Sequence, residues 1–166
     1  YDEASYCISL IRDYQITYPV AFDWELDGDY DSVTEACETF CNVISSYGYQ
    51  PMVYSNRNRW YNNFDGEKIA SKYKVWMAAY FGKFYYDSVR WTYGDDLPNF
   101  RYHYDMWQYS SRCYVDGISG QVDVDIAFFG YANYHVDTKD AVLTVTNKEI
   151  KRTYGDEIGR LTEELN

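Results

Sequence analysis

The chain has 166 residues, enough for one domain with a real core, and sets 26 acidic against 15 basic side chains for a formal net charge of −11. That balance argues against nucleic acid, whose phosphates demand Lys and Arg, and against an anionic membrane surface. No stretch approaches the roughly 20 apolar residues that span a bilayer, so no membrane insertion is expected. Tyr occurs 21 times and Trp five times. Flat rings with polar tips suit sugar faces, and equally suit an ordinary aromatic core and surface.

In chain order, "DEASYCISLIRDYQ" (2–15) opens with acids, which favour a helix N-terminus, and carries Cys7, Ile8, Leu10, Ile11 and Tyr14 as an apolar face. "YPVAFDW" (18–24) reads as a strand that ends in a cluster of acids. Ser32 and Glu35 form an S-x-x-E capping box, Val33, Ala36, Cys37, Phe40, Cys41 and Ile44 follow at helical spacing, and Gly48 sits where a C-terminal cap belongs. "PMVYS" (51–55) is a short strand, a polar and partly helical stretch follows, and "YKVWMAAY" (73–80) is a buried strand in which Trp76 reads as core. A loop-rich segment with Pro98 leads to "YDMWQYS" (104–110), and "VDGISGQVDVDIAFF" (115–129) is a Gly-punctuated turn feeding a last strand.

Strands that are nearly continuously apolar and alternate with helices predict an α/β fold with a parallel sheet, drifting toward hairpins in its later part. From about Val136 the aromatics thin out and Thr, Lys and Glu increase. This places a domain over 1–135 and a linker or the start of a second module over 136–166, with "AVLTVTN" as a short strand. Cys7, Cys37, Cys41 and Cys113 contain no CxxC pair, and His103 and His135 lie far apart, so no metal site is expected. Four cysteines allow three disulfide pairings, while Cys37 and Cys41 also suit reduced core thiols.

"AFDWELDGDYDS" (21–32) holds five carboxylates. On a strand, Asp23 and Glu25 share a face and Trp24 points the other way. At the carboxyl end of a parallel strand, two close carboxylates cannot both ionise freely, so one becomes a proton donor near neutral pH. Glycoside hydrolysis needs such a donor and a second carboxylate. A solvated acidic strand end is the plainer alternative. Asp27, Asp29 and Asp31, with Glu38 at the twelfth position, imitate a calcium loop. Ser32 where Gly belongs, Thr34 where an apolar residue is usual, and a helix starting inside the loop contradict that reading. These three acids are expected to face solvent and favour the helix N-terminus.

With these motifs in view, "YPVAFDWE" resembles the D-x-E strand of glycoside hydrolase family 25, the lysozymes that cut peptidoglycan. "PMVYSN", "VWMAAY" and "MWQYSS…VDGISGQVDVDIAF" resemble that family's later strands in the same order, over roughly residues 1 to 130. The resemblance implies that Glu25 is the general acid, that Asp23 is its partner, and that Asp123 is the acid of the final strand. It places Tyr54, Tyr80 and Trp107 near the saccharide cleft. It implies hydrolysis of the β-1,4 bond between N-acetylmuramic acid and N-acetylglucosamine by a secreted or wall-associated enzyme, without cofactor or metal. One route uses the substrate's acetamido group as nucleophile. Asp125 stands where the family often has Asn. The family also begins with an Asp-bearing D-V-S-x-x-Q strand and two further β/α units, none present here. The expected architecture is therefore a partial (β/α) barrel lacking its first three strands and one site acid. Two other functions compete with a muramidase: a peptidoglycan-binding module without turnover, and a calcium-dependent adhesion fragment. Secreted wall enzymes often carry wall-binding modules, so such modules are expected beside the domain in a longer chain.

Overall fold

The computed structural model describes residues 1–86, 90–92 and 94–129. In chain order the elements are α1 (Asp2–Ile11), β1 (Val20–Asp23), α2 (Tyr30–Ser46), β2 (Pro51–Asn56), α3 (Arg57–Asn62), α4 (Gly66–Ala70), β3 (Lys74–Ala78), α5 (Gly82–Tyr86), β4 (Met106–Cys113) and β5 (Val122–Ala127). The domain boundary near Val136, the second module and the "AVLTVTN" strand lie outside the described residues.

The strands form one sheet in the order β1-β2-β3-β4-β5. The first three pairings are parallel, and β4 and β5 close the order as an antiparallel pair with two register shifts. The parallel sheet and the late hairpin both follow the sequence reading. Register sets the two faces. Asp23, Tyr54 and Trp76 are neighbours across β1, β2 and β3, as are Phe22, Val53 and Val75 one residue earlier. The second row faces the helices and joins Val33, Cys37, Phe40, Cys41 and Ile44 of α2 in the core. Phe22 and Phe40 pack with ring centroids 5.3 Å apart. The first row lies on the opposite face, where the polar groups gather.

Helix ends differ from expectation in instructive ways. α2 begins at Tyr30, and Asp29, rather than Ser32, is its N-cap: the Asp29 carboxylate accepts from the Ser32 backbone N–H at 2.9 Å. A charged acceptor at a helix N-terminus outcompetes a hydroxyl three residues later because the hydrogen bond is charge-assisted and the dipole favours it. The C-terminus follows the sequence: Gly48 takes φ +84°, and Tyr49 N–H reaches back to Ile44 O. α1 stops at Ile11, leaving Tyr14 exposed. The polar stretch after β2 resolves into α3 and α4, capped by the Asn56 and Asp65 side chains.

Glu38, the twelfth position of the calcium-like loop, pairs with Lys68 and Lys72 at 2.7 and 2.6 Å. Asp29 and Asp31 belong to the start of a helix. The residues of that motif are thus committed elsewhere. All four cysteines are free thiols, with Cys37, Cys41 and Cys113 buried.

Candidate active site

The site lies at the carboxyl ends of β1, β2 and β3, on the face away from the helices. β1 formally ends at Asp23, but the following residue is held as if the strand continued. Trp24 N–H donates to Tyr54 O at 3.1 Å, and Ser55 Oγ donates to Trp24 O at 2.6 Å. Its ring stacks on Phe22, toward the core. With Trp24 pinned at both backbone groups, Asp23 and Glu25 emerge on the same side. The loop beyond is fixed from α3 and its C-cap: Arg59 Nε donates to Leu26 O at 3.2 Å, and Asn63 Nδ2 to Gly28 O at 2.7 Å. Gly28 is required there, since a Cβ would sit 2.8 Å from Val33 Cγ2 and 3.0 Å from Trp24 Cζ2. Asp27 faces solvent, with Arg59 3.6 Å away.

A polar belt crosses the sheet from Glu25 to β5. Tyr54 is buried, and its hydroxyl lies 3.0 Å from Gln108 Oε1 and 3.5 Å from Glu25 Oε1. The Tyr80 hydroxyl also bonds Gln108 Oε1. Two phenols on one amide oxygen turn the Gln108 amide nitrogen toward Asp125, with which it is hydrogen-bonded. Trp76 Nε1 donates to Asp125 Oδ1 at 2.7 Å, and the Trp76 ring packs on Tyr54 with centroids 4.6 Å apart. Tyr80 stacks in parallel on Tyr85 at 5.2 Å.

These surroundings shift several protons. Partial burial, and after it the Glu25 and Glu3 charges, raise the Asp23 carboxyl above its ordinary value. Burial, reinforced by Asp123, outweighs the Trp76 and Gln108 hydrogen bonds and pushes Asp125 up to about 6. Burial likewise lifts the Tyr54 and Tyr80 phenols, and the charge of Asp123 adds to the shift of Tyr80. Both phenols therefore stay protonated as donors. Asp123 itself is exposed on β5, two residues before Asp125, and its charge adds to the upward shifts of Tyr80 and Asp125.

Five of the six residues expected at the site thus meet: Asp23, Glu25, Tyr54, Tyr80 and Asp123. Trp107 does not. It is fully buried on the helix-facing side, its Nε1 donates to Ala79 O at 2.9 Å, and its ring packs on Phe81 and Tyr109. Because Gln108 turns into the site, its strand neighbour must turn away. Trp76, read from the sequence as core, occupies the site face instead. Nothing in the sequence alone assigns a role to Gln108, and Asp125 reads there only as an added charge. The alternation of "MWQ" and "DVD" carries both, once one member of each strand is anchored to a face.

Residues 1–118 match the model of the glycosyl hydrolases family 25. The chain belongs to this family. A lysozyme of Streptococcus phage Cp-1 is 32% identical over 107 residues, 59% of this chain and 28% of that protein. A D-alanyl-L-alanine endopeptidase of Streptococcus phage B30 is 29% identical over 128 residues, 75% of this chain and 27% of that protein. The chain therefore spans just over a quarter of the length of these curated relatives. Among solved structures, the CTP1L endolysin superposes with a TM-score of 0.58 at 25% identity, covering 75% of this chain and 40% of that one. The five-stranded sheet is accordingly a curled half-barrel of the kind found in family 25 endolysins. The family match ends before β5, so Asp123 and Asp125 lie beyond it. Among the described residues, no helix is long and apolar enough to cross a membrane, and no group of three or more His, Cys, Asp or Glu is placed to hold a metal ion.

Proposed function

We propose that the chain carries the acid side of a peptidoglycan muramidase site, acting on the β-1,4 bond between N-acetylmuramic acid and N-acetylglucosamine. The observation that carries this is the belt linking Glu25 through Tyr54 and Gln108 to Asp125 and Trp76, at the strand ends of a family 25 chain. Glu25 protonates the leaving glycosidic oxygen as the bond to the anomeric carbon breaks. The acetamido oxygen of the same sugar attacks that carbon, and Asp23 orients the acetamido group. Water then opens the cyclic intermediate, returning its proton to Glu25. Tyr54 and Tyr80 offer hydroxyls and ring faces to the sugar, and Asp123 supports the charge that develops. The relatives named as a phage lysozyme and an endolysin support a wall substrate. On this reading the protein works outside the membrane or at the cell wall, beside any wall-binding modules joined to it.

The test is incubation with purified peptidoglycan, scored by new reducing ends. Glu25→Gln should abolish their release with an unchanged circular dichroism spectrum. Release at the parent rate by Glu25→Gln would refute the assignment. A second reading, a saccharide-binding module without turnover, rests on the stacked and partly exposed Tyr80–Tyr85 pair. It predicts cosedimentation with peptidoglycan but no reducing ends.

A further inference from the structure

A second concave site is built on α3. Arg57, Asn58 and Tyr61 of α3 and Asn99 and Arg101 of the segment before β4 line a cavity of about 550 Å³. In a chain of net charge −11, no carboxylate lines it. Among the described residues, neither guanidinium forms an ion pair, whereas Arg59, two residues after Arg57, turns back to Leu26 and Asp27.

The cationic groups are held in place by neutral contacts. The Arg101 guanidinium lies 4.9 Å above the Tyr61 ring, and its backbone N–H donates to the Tyr61 hydroxyl at 3.0 Å. Tyr61 is itself stacked on Phe100. Arg57 Nη1 lies 3.4 Å from Asn99 O. Asn58 Oδ1 accepts from Asn62 Nδ2 at 2.9 Å, which leaves the Asn58 amide nitrogen as the donor end of that side chain. Two planar cations and an amide donor, restrained before any ligand arrives, suit a carboxylate.

The cavity is also coupled to the cleft. Arg57 follows β2 directly, three residues after Tyr54, and Arg59 of the same helix holds the residue after Glu25. A muramic acid bound near Glu25 carries a peptide on its lactyl group, and that peptide bears free carboxylates. We infer that the Arg57–Arg101 cavity is a subsite for a carboxylate of the peptide stem, an inference that rests on the saccharide reading of the cleft.

The experiment compares a soluble disaccharide-pentapeptide with the same disaccharide lacking the peptide, by calorimetry, with the Asn58 and Asn99 side-chain amides followed by NMR. The peptide should tighten binding about tenfold. Arg57→Gln with Arg101→Gln should erase that gain without changing affinity for the bare disaccharide. Arg101→Lys keeps the charge without the planar fork and should lose most of the gain, so a folding defect in the double variant does not end the test. The free pentapeptide alone should shift both amides. Equal affinity for the two saccharides, or a gain that survives in the folded double variant, would overturn the subsite. Glycerol phosphate displacing the free pentapeptide's effect at lower concentration would reassign the cavity to wall phosphates and equally overturn it. Amide shifts without any disaccharide binding would leave the subsite standing and remove the saccharide reading. Disaccharide binding without amide shifts would do the reverse.

Discussion

Asp125→Asn isolates a carboxyl that the fold holds far above its ordinary titration range. A rise from 3.8 to about 6 corresponds to about 3 kcal/mol at 1.36 kcal/mol per pH unit. Asp125 is only partly buried, and solvent screening reduces this to about 1–2 kcal/mol. The sign follows from linkage. The folded state holds the proton more tightly than the unfolded chain, so stability falls as pH rises from about 4 to about 6, and the penalty is complete above that window. Asparagine is neutral at every pH and still offers an oxygen to Trp76 Nε1 and the Gln108 amide. Asp125→Asn should therefore be more stable than the parent by about 1–2 kcal/mol near pH 7.5 and gain little near pH 4.5. Asp23, also raised, is common to both proteins and cancels. Urea unfolding followed by tryptophan fluorescence at the two pH values measures the difference. A gain of the same size at both, or a loss at both, would refute the claim that burial of the ionised form sets the Asp125 shift.

Trp107→Phe should cost about 1–3 kcal/mol, because Ala79 O loses its buried donor, while saccharide affinity stays unchanged. Weakened saccharide binding with unchanged stability in a urea titration would return Trp107 to the cleft. Gly66→Ala should cost about 1–3 kcal/mol, since the added Cβ would lie 2.3 Å from the Tyr102 ring. Equal unfolding midpoints for parent and variant would show that Tyr102 moves freely aside. In thiol titration with an aromatic disulfide, Cys7 should react first and Cys37 and Cys41 only after denaturation. Cys37 is buried, and its hydrogen bond to Cys41, followed by desolvation, pushes its thiol up. Rapid labelling of the native protein at Cys37 would contradict that packing.

Much of this fold was legible because its parallel strands are short apolar runs separated by capped helices. β2 and β3 fall within a residue or two of "PMVYS" and "YKVWMAAY", and the apolar spacing from Val33 to Ile44 found α2. The N-terminus of α2 was misplaced because two acceptors, Asp29 and Ser32, lie one turn apart, and composition cannot decide which the backbone selects. α5 was missed because "GKFYY" is a single turn without a period of its own. At the site, the acids were legible as a D-x-E strand end, and the neutral partners were not. Gln108 is an unremarkable amide in sequence, and only folding places it under two phenols and beside a carboxyl.

The exchange of Trp76 and Trp107 shows what the sequence lacked. Each tryptophan sits in an apolar run that alternation alone can assign to either face. The choice is fixed by the register relative to Asp23. Asp23 neighbours Tyr54, Tyr54 neighbours Trp76, and Trp76 neighbours Met106, so Trp107 falls one residue out of phase with the acids. A slip of one residue in any pairing would reverse the assignment. The observed phase is the one that satisfies the polar atoms. It gives the Trp76 indole N–H a carboxylate, the Trp107 N–H a backbone carbonyl, and both phenols the Gln108 oxygen. Reversal would bury the Gln108 amide against Phe81 and Phe84, two rings from outside the strand that now pack on Trp107, and an unpaired buried amide costs about 1–3 kcal/mol. The hydrogen bonds that arm the site thus also fix the register of the sheet that carries it.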